Sequence, residues 1–341
     1  MRVPAWARNR KVLAVVQLVL GVVLSIVFGY LAFRGINWRE VADQFRNMSL
    51  LAFFAAVAVF VFGMFLHAYR WQVLFVQQRV SVRALFIARN AGIAVNNLSP
   101  WRVFAEAIQF AVLTARYRVP GGPAIASLGV EKVLDLVSST ALLMLGVLFV
   151  PAFKSFQNTP LIVSIAIGLA LAAMLAIRGI AWISTKRWIE RIRFLNTFAG
   201  SVAALEHARG RLLWALVISF AYWLLLGLTG WLLGYAMGID LEFPAITLTL
   251  LVTLYVTTAL PSAPAAVGTF EGTVKYMLSI FFEIPQSAAL GFALLLHAIL
   301  FVPPMVVGLM LLPSEWWRLR RMLTAKRLRA KAPPEHRSEH T

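Results

Sequence analysis

The sequence predicts an all-α, polytopic membrane protein with about six full spans around two opposed re-entrant helical hairpins, arranged as an inverted repeat. Three observations lead there. The chain is 60% hydrophobic and 13% charged, whereas soluble domains run about half apolar and about a quarter charged. Its apolar runs are unbroken, while a transmembrane barrel alternates polarity in segments of about ten residues. Its Lys and Arg residues crowd into alternate connections, as they do on the cytoplasmic side of a membrane. The net charge of +18 therefore points to anionic lipid surfaces rather than to nucleic acid. With no Cys, disulfide and thiolate chemistry are excluded.

The first element is Val12–Phe33, preceded by Arg2, Arg8, Arg10 and Lys11. A signal peptide carries an apolar core of only about 7–15 residues. The longer run, ending in Gly29-Tyr-Leu-Ala-Phe-Arg34, is expected to be a retained span with a cytoplasmic N-terminus. Asn37–Ser49 alternates charges with Trp38, Val41 and Phe45, the pattern of a short interfacial helix. Leu50–Leu66 is the second span. It ends in His67-Ala-Tyr-Arg70-Trp71, where Arg70 is either a snorkelling anchor or a substrate contact.

Arg79 and Arg83 mark a return to the cytoplasm. In Ala84–Leu113 the part before Pro100 is too short to cross and carries Arg89, Asn90, Asn96 and Asn97. The part after it carries Arg102, Glu106 and Gln109, and Arg116 and Arg118 restore a cytoplasmic signature. Entry and exit on one side describe a re-entrant hairpin with its tip near Asn96–Pro100; an amphipathic surface hairpin is the competing reading.

Ala124–Val150 is a full span bearing Glu131, Lys132 and Asp135. The two acids share a helical face and must point away from lipid, either as a buried ion-pair network or in a proton- or headgroup-coupled role. Leu161–Ile180 is the next span, Trp182–Arg211 a basic cytoplasmic stretch, and Leu212–Gly238 the return, emerging at Asp240 and Glu242.

Ala259–Lys275 then breaks the pattern. Pro261 and Pro264 remove backbone donors and clash with the preceding turn. Gly268 and Gly272 permit an unwound turn or close backbone approach. Glu271 and Lys275 follow at i,i+4. Broken backbone in a membrane needs cover from protein or a water-filled cavity, so this stretch is a candidate site. Ala288–Leu312 is the last span, with His297 read as a hydrogen-bonded packing residue. Residues 1–313 thus form one transmembrane domain and 314–341 a basic cytoplasmic tail.

With the N-terminus inside, the first hairpin dips from the cytoplasmic face. The second, after Asp240 and Glu242 and ending near Glu283, dips from the outer face. Both hold a Pro-containing tip followed by Phe and Glu: Leu98-Ser-Pro100 with Phe104-Ala-Glu106, and Leu260-Pro-Ser-Ala-Pro264 with Phe270-Glu271. Interrupted segments at corresponding places mark an inverted repeat with its site at the midplane.

Three motifs resemble one known family: Asn96-Asn-Leu-Ser-Pro100 with Glu106, Gly129-Val-Glu131-Lys132-Val-Leu-Asp135, and Pro261-Ser-Ala-Pro264 with Gly268-Thr-Phe-Glu271. They are similar to the lysylphosphatidylglycerol synthase transmembrane region, which includes the flippase domain of the bacterial multiple peptide resistance factor. The resemblance runs from the first span to the last. It departs at the first hairpin, where Phe104-Ala105 replaces an expected Gly, Glu106 is displaced and Gln109 stands for a basic residue. The soluble aminoacyl-transferase domain has no counterpart, so lipid aminoacylation is not implied.

The resemblance implies a flippase-like carrier of phospholipid or polyprenyl-linked headgroups in the cell (inner) membrane. The candidate substrate-binding residues are Arg70, Asn97, Pro100, Arg102, Glu106, Glu131, Lys132, Asp135, Pro261, Pro264, Gly268, Glu271 and Lys275. The bases would meet an anionic phosphate and the acids would pair with them or carry protons. Expected partners are membrane lipids, anionic ones foremost, and a second copy of the chain. No cofactor or metal is expected. Two alternatives stand: a membrane-embedded enzyme on lipid-linked substrates, for which no nucleophile or metal constellation is visible, and an accessory subunit.

Overall fold

The computed structural model describes residues 19, 22–98, 105–153, 200–201, 204, 207–260 and 263–331, with side chains to residue 310. Every regular element among them is helical. In order they are α1 (Val22–Phe33), α2 (Trp38–Asn47), α3 (Leu50–Val73), α4 (Val82–Leu98), α5 (Ala105–Ala111), α6 (Gly121–Phe149), α7 (Arg209–Ala236), α8 (Phe243–Ala259), α9 (Thr269–Tyr276) and α10 (Gln286–Lys331). Single π-helical turns extend α5 over Val112–Arg116 and α9 over Met277–Phe281.

Among the described residues, four helices are long and apolar enough to cross a membrane: α3, α6, α7 and the Gln286–Met310 part of α10. Two more are apolar but shorter, α1 and α8. The expected Val12–Phe33 span is described from residue 22 onward, apart from residue 19, and the expected Leu161–Ile180 span lies outside the described residues. The outward faces are apolar: Leu51, Phe54, Phe62 and Phe65 of α3 are about half or more exposed. Such a continuous apolar surface is a liability in water and is matched by lipid.

Local chemistry sets the boundaries. Asn37 caps α2, its side-chain oxygen accepting from the Arg39 N–H, and Ser49 caps α3 by accepting from the Ala52 N–H. The short helix expected over Asn37–Ser49 is therefore α2, and it packs on α10. Pro244 sits in the first turn of α8, where a missing N–H costs nothing. The helix expected to stop near Leu66 runs on to Val73, because Trp71, Leu74 and Phe75 have a second apolar cluster to enter.

Among the described residues the helices pack around three such clusters, two of which frame the buried polar residues. One gathers Phe60 and Met64 of α3, Leu233 of α7, Ile246 of α8, Phe270 of α9 and Phe292 of α10. The other joins Trp71 of α3, Leu85 of α4, Leu113 of the π turn after α5, and Leu128 of α6. α3 and α7 run antiparallel in close contact. The Ser49 N–H donates to the Ala236 carbonyl at one end, and the Arg211 guanidinium donates to the Phe75 carbonyl at the other.

α4 and α5 fold back on each other, with residues 99–104 between them outside the described set. Gly92 makes the contact possible: a Cβ there would lie 2.7 Å from the Ala105 carbonyl and 2.7 Å from Gln109 Cγ. α8 and α9 pack likewise, around a break that includes the 3₁₀ turn Pro264–Ala266. That turn rests on α4, so the break in the second pair of helices lies against the first pair.

Candidate functional site

Two polar centres are buried in this apolar frame. The larger lies where α3, α4, α6 and α7 meet. Helical spacing brings its members together: His67 and Arg70 at i,i+3 on α3, Glu131 and Asp135 at i,i+4 on α6, Ser219 and Tyr222 at i,i+3 on α7, and Arg89 on α4.

Arg70 is fully buried. Its Nη1 donates to Asp135 Oδ1 and, at 2.8 Å, to Ser219 Oγ. Its Nη2 is 2.8 Å from His67 Nε2 and 3.5 Å from Glu131 Oε1. Arg89 Nη1 reaches the same His67 nitrogen at 2.5 Å and Glu131 Oε1 at 3.3 Å, while its Nη2 donates to the Tyr222 hydroxyl at 3.4 Å. Two guanidinium donors converge on His67 Nε2, so that nitrogen carries the lone pair and the ring proton sits on Nδ1. Two arginines thus face two acidic side chains, so their formal charges can cancel.

The balance matters energetically. A carboxylate at membrane depth costs at least roughly 2.5 kcal/mol on insertion scales, and α6 carries two. Pairing offsets that cost only if both partners stay in place. Some polar capacity is left over: His67 Nδ1, Arg70 Nε and Glu131 Oε2 have no hydrogen-bond partner. Buried polar groups are rarely left so.

His67, Glu131 and Asp135 each present a ligand atom within 4.8 Å of one another. No His stands near the two acids in sequence, and it is α3 that supplies one. Arg70 and Arg89 nevertheless occupy the space in front of these atoms with positive charge. The donor set therefore suits ion pairing or an anion better than a divalent cation.

The smaller centre is the break itself. Ala265, Ala266 and Gly268 all have positive φ, at 57°, 59° and 83°. For an alanine this left-handed conformation costs roughly 1–2 kcal/mol. Two contacts hold the turn there. Glu271 Oε2 reaches back to accept from the Gly268 N–H at 2.7 Å, covering an orphan donor at the start of α9. His297 of α10 donates from Nε2 to the Ala265 carbonyl at 3.0 Å, and its Nδ1 lies 2.5 Å from Glu271 Oε1. Because Nε2 donates, a proton also lies between Nδ1 and the carboxylate. Phe270 and Phe301 flank the ring. His297 is hydrogen-bonded, as the sequence suggested, but its partners tie the last span to the broken loop.

The sequence-predicted residues thus separate into groups. Arg70, Glu131 and Asp135 come together in the four-helix network. Arg70 lies in the last turn of α3 but does not snorkel, since its side chain is fully buried among Asp135, Ser219 and His67. Pro264, Gly268 and Glu271 form the loop centre. Lys275, although i,i+4 from Glu271, turns away to the carbonyls of Leu31, Ala32 and Arg34. Lys132 does not flank Glu131 in an ion pair; it meets Glu106 of α5 at 2.7 Å on a half-exposed surface. Asn97 is buried near the end of α4. Pro100, Arg102 and Pro261 lie outside the described residues.

Arg89, His67, Ser219 and Tyr222 are partners that spacing along one helix could not reveal. The available signal was Arg89, an ionisable residue inside a largely apolar helix, which in a membrane protein raises the hypothesis of a functional position.

Fold and site together define a multi-pass helical membrane protein with a buried charge network and a broken, strained helix pair. The family model of the lysylphosphatidylglycerol synthase TM region matches residues 18–308. The chain belongs to that family, which relates it to membrane lipids. No soluble domain is evident among the described residues. No curated protein matches the chain.

Proposed function

We propose that the protein is a flippase-like carrier that moves anionic phospholipid or polyprenyl-linked headgroups between leaflets of the cell (inner) membrane. The observation that carries this reading is the seven-residue network of Arg70, Arg89, His67, Glu131, Asp135, Ser219 and Tyr222, held inside four helices. A phosphate crossing unaided must shed its water in hydrocarbon, which costs many kcal/mol. Two arginines already paired with carboxylates offer it replacement partners, and the acids can take protons or exchange partners as the headgroup passes. The unpaired Glu131 Oε2, His67 Nδ1 and Arg70 Nε fit a centre with more than one arrangement.

The membrane arrangement belongs to the same proposal. About six spans surround α4–α5 and α8–α9 as hairpins entering from opposite faces, with both ends of the chain cytoplasmic. Residues 1–313 form the transmembrane domain and 314–341 a basic tail on anionic lipid. Contact of the 264–266 turn with α4 supports tips that meet near the midplane. The test is leaflet-resolved lipidomics of a deletion strain. The expected result is one anionic lipid class accumulating in the leaflet from which it is normally cleared, restored by the native gene. Unchanged leaflet composition across all lipid classes would overturn the proposal.

A further inference from the structure

α1 lies along α9 through a stripe of contacts. Ser25 Oγ accepts the Ala263 N–H at 2.6 Å, and Gly29 faces Gly268, with a Cβ on Gly29 only 3.7 Å from the Gly268 Cα. Gly272 sits against Phe28, where a Cβ would lie 3.1 Å from the Phe28 carbonyl. One turn further, the Lys275 ammonium donates to the carbonyls of Leu31, Ala32 and Arg34 at 2.9–3.2 Å. Asn37, just beyond α1, donates its N–H to Ser287 Oγ, so the end of α1 and the start of α10 share one level with Lys275.

Beside this pair a cleft of about 600 Å³ opens between α1, α8 and α9, within the roughly 300–1,000 Å³ usual for ligand sites. Its walls are Phe28, Val252, Val256, Tyr276 and Ile280, and its polar end is Lys275 with Gln286. Tyr276 and Ile280 are 56% and 58% exposed, so the cleft opens sideways, towards the surrounding bilayer.

Lys275 is buried, and none of the described carboxylates pairs with it. Its three N–H groups are spent on carbonyls, which carry partial charges only. The C-terminal dipole of α1 offsets part of the ammonium's charge, and the remainder is uncompensated beside an apolar slot. A buried cation lining a laterally open apolar cleft is complementary to one kind of molecule, an anionic phospholipid. We infer that this cleft is a lipid site: the phosphate lies over Lys275 and Gln286, and an acyl chain descends past Tyr276 and Phe28 towards Val256. The inference rests on the membrane placement proposed above but not on transport.

Photocrosslinking tests it. The full chain is reconstituted in phosphatidylcholine liposomes containing diazirine-acyl phosphatidylglycerol or diazirine-acyl diacylglycerol, and adducts are mapped by mass spectrometry. Phe54 and Leu213, exposed apolar residues away from the cleft, report ordinary lipid contact. The expected result is phosphatidylglycerol labelling of Phe28, Tyr276 and Ile280 about fivefold above diacylglycerol, the ratio one partly hydrated charge pair supplies. Unlabelled phosphatidylglycerol should compete at the cleft and not at Phe54. Lys275→Met should reduce the ratio to one, and Ile280→Trp should fill the cleft and block labelling without touching the Lys275 contacts. Equal labelling by the two lipids, or cleft labelling no stronger than at Phe54, would overturn the inference. A protein that moves lipid with an unlabelled cleft refutes this site alone; a labelled cleft in a protein that moves nothing refutes transport alone.

Discussion

Arg70→Met isolates the four-helix network. Arg70 is fully buried and contacts both Asp135 and Glu131. Without it, Arg89 alone faces two carboxylates, leaving an uncompensated buried charge. Breaking a buried pair from one side costs about 3–5 kcal/mol, whereas replacing both partners with apolar groups is often neutral or stabilising. Arg70→Met should therefore lower the melting temperature in detergent by about 10 °C, taking roughly 2–4 °C per kcal/mol for a chain of ordinary size. Arg70→Met with Asp135→Leu should recover most of that loss, giving a coupling energy of at least about 2 kcal/mol in the double-mutant cycle. Intrinsic tryptophan fluorescence during heating follows each variant. The recovered double variant should remain inactive in lipid movement, since the headgroup has lost its partners. Additive melting shifts would refute the network geometry, and a stable double variant with native activity would reduce the network to helix packing.

Gly268→Ala should destabilise the loop by roughly 2 kcal/mol or more, because positive φ penalises a side chain and the added Cβ meets the Ser25 carbonyl and Gly29; melting temperature and hydrogen exchange of α9 amides check this. Glu106→Gln should shift stability by less than about 1 kcal/mol, since its pair with Lys132 is half-exposed; a large loss would place that pair in the buried site. Single cysteines replacing Arg116 or Arg187 should label only after permeabilisation, a clean test in a chain with no native Cys; labelling from outside would invert the proposed topology.

The helical membrane class was legible from composition and run length, because lipid leaves helices few alternatives. The break at Ala259–Lys275 was legible because Pro and Gly act locally. What escaped was pairing between helices. Glu271 and Lys275 share spacing, yet each meets a partner from another helix: Glu271 reaches His297 of α10, and Lys275 reaches the carbonyls at the end of α1. Glu131 and Lys132 are adjacent, yet consecutive residues on a helix diverge by about 100°, so one enters the core and the other the surface. Arg70 looked like an edge residue because its helix was expected to end near Leu66. Only the apolar cluster around Trp71, assembled from four other segments, keeps that helix going.

Transport itself is tested most directly in liposomes holding purified protein and fluorescent anionic lipid, with a membrane-impermeant quencher added outside. Native protein should expose the inner-leaflet lipid without ATP, the sequence lacking a G-x-x-x-x-G-K-[ST] phosphate loop. Glu131→Gln, Asp135→Asn and Glu271→Gln should each abolish the effect while the protein stays folded, and Pro264→Ala should slow it. Native protein that quenches no faster than empty liposomes, across lipid classes and with or without a pH gradient, would contradict the account.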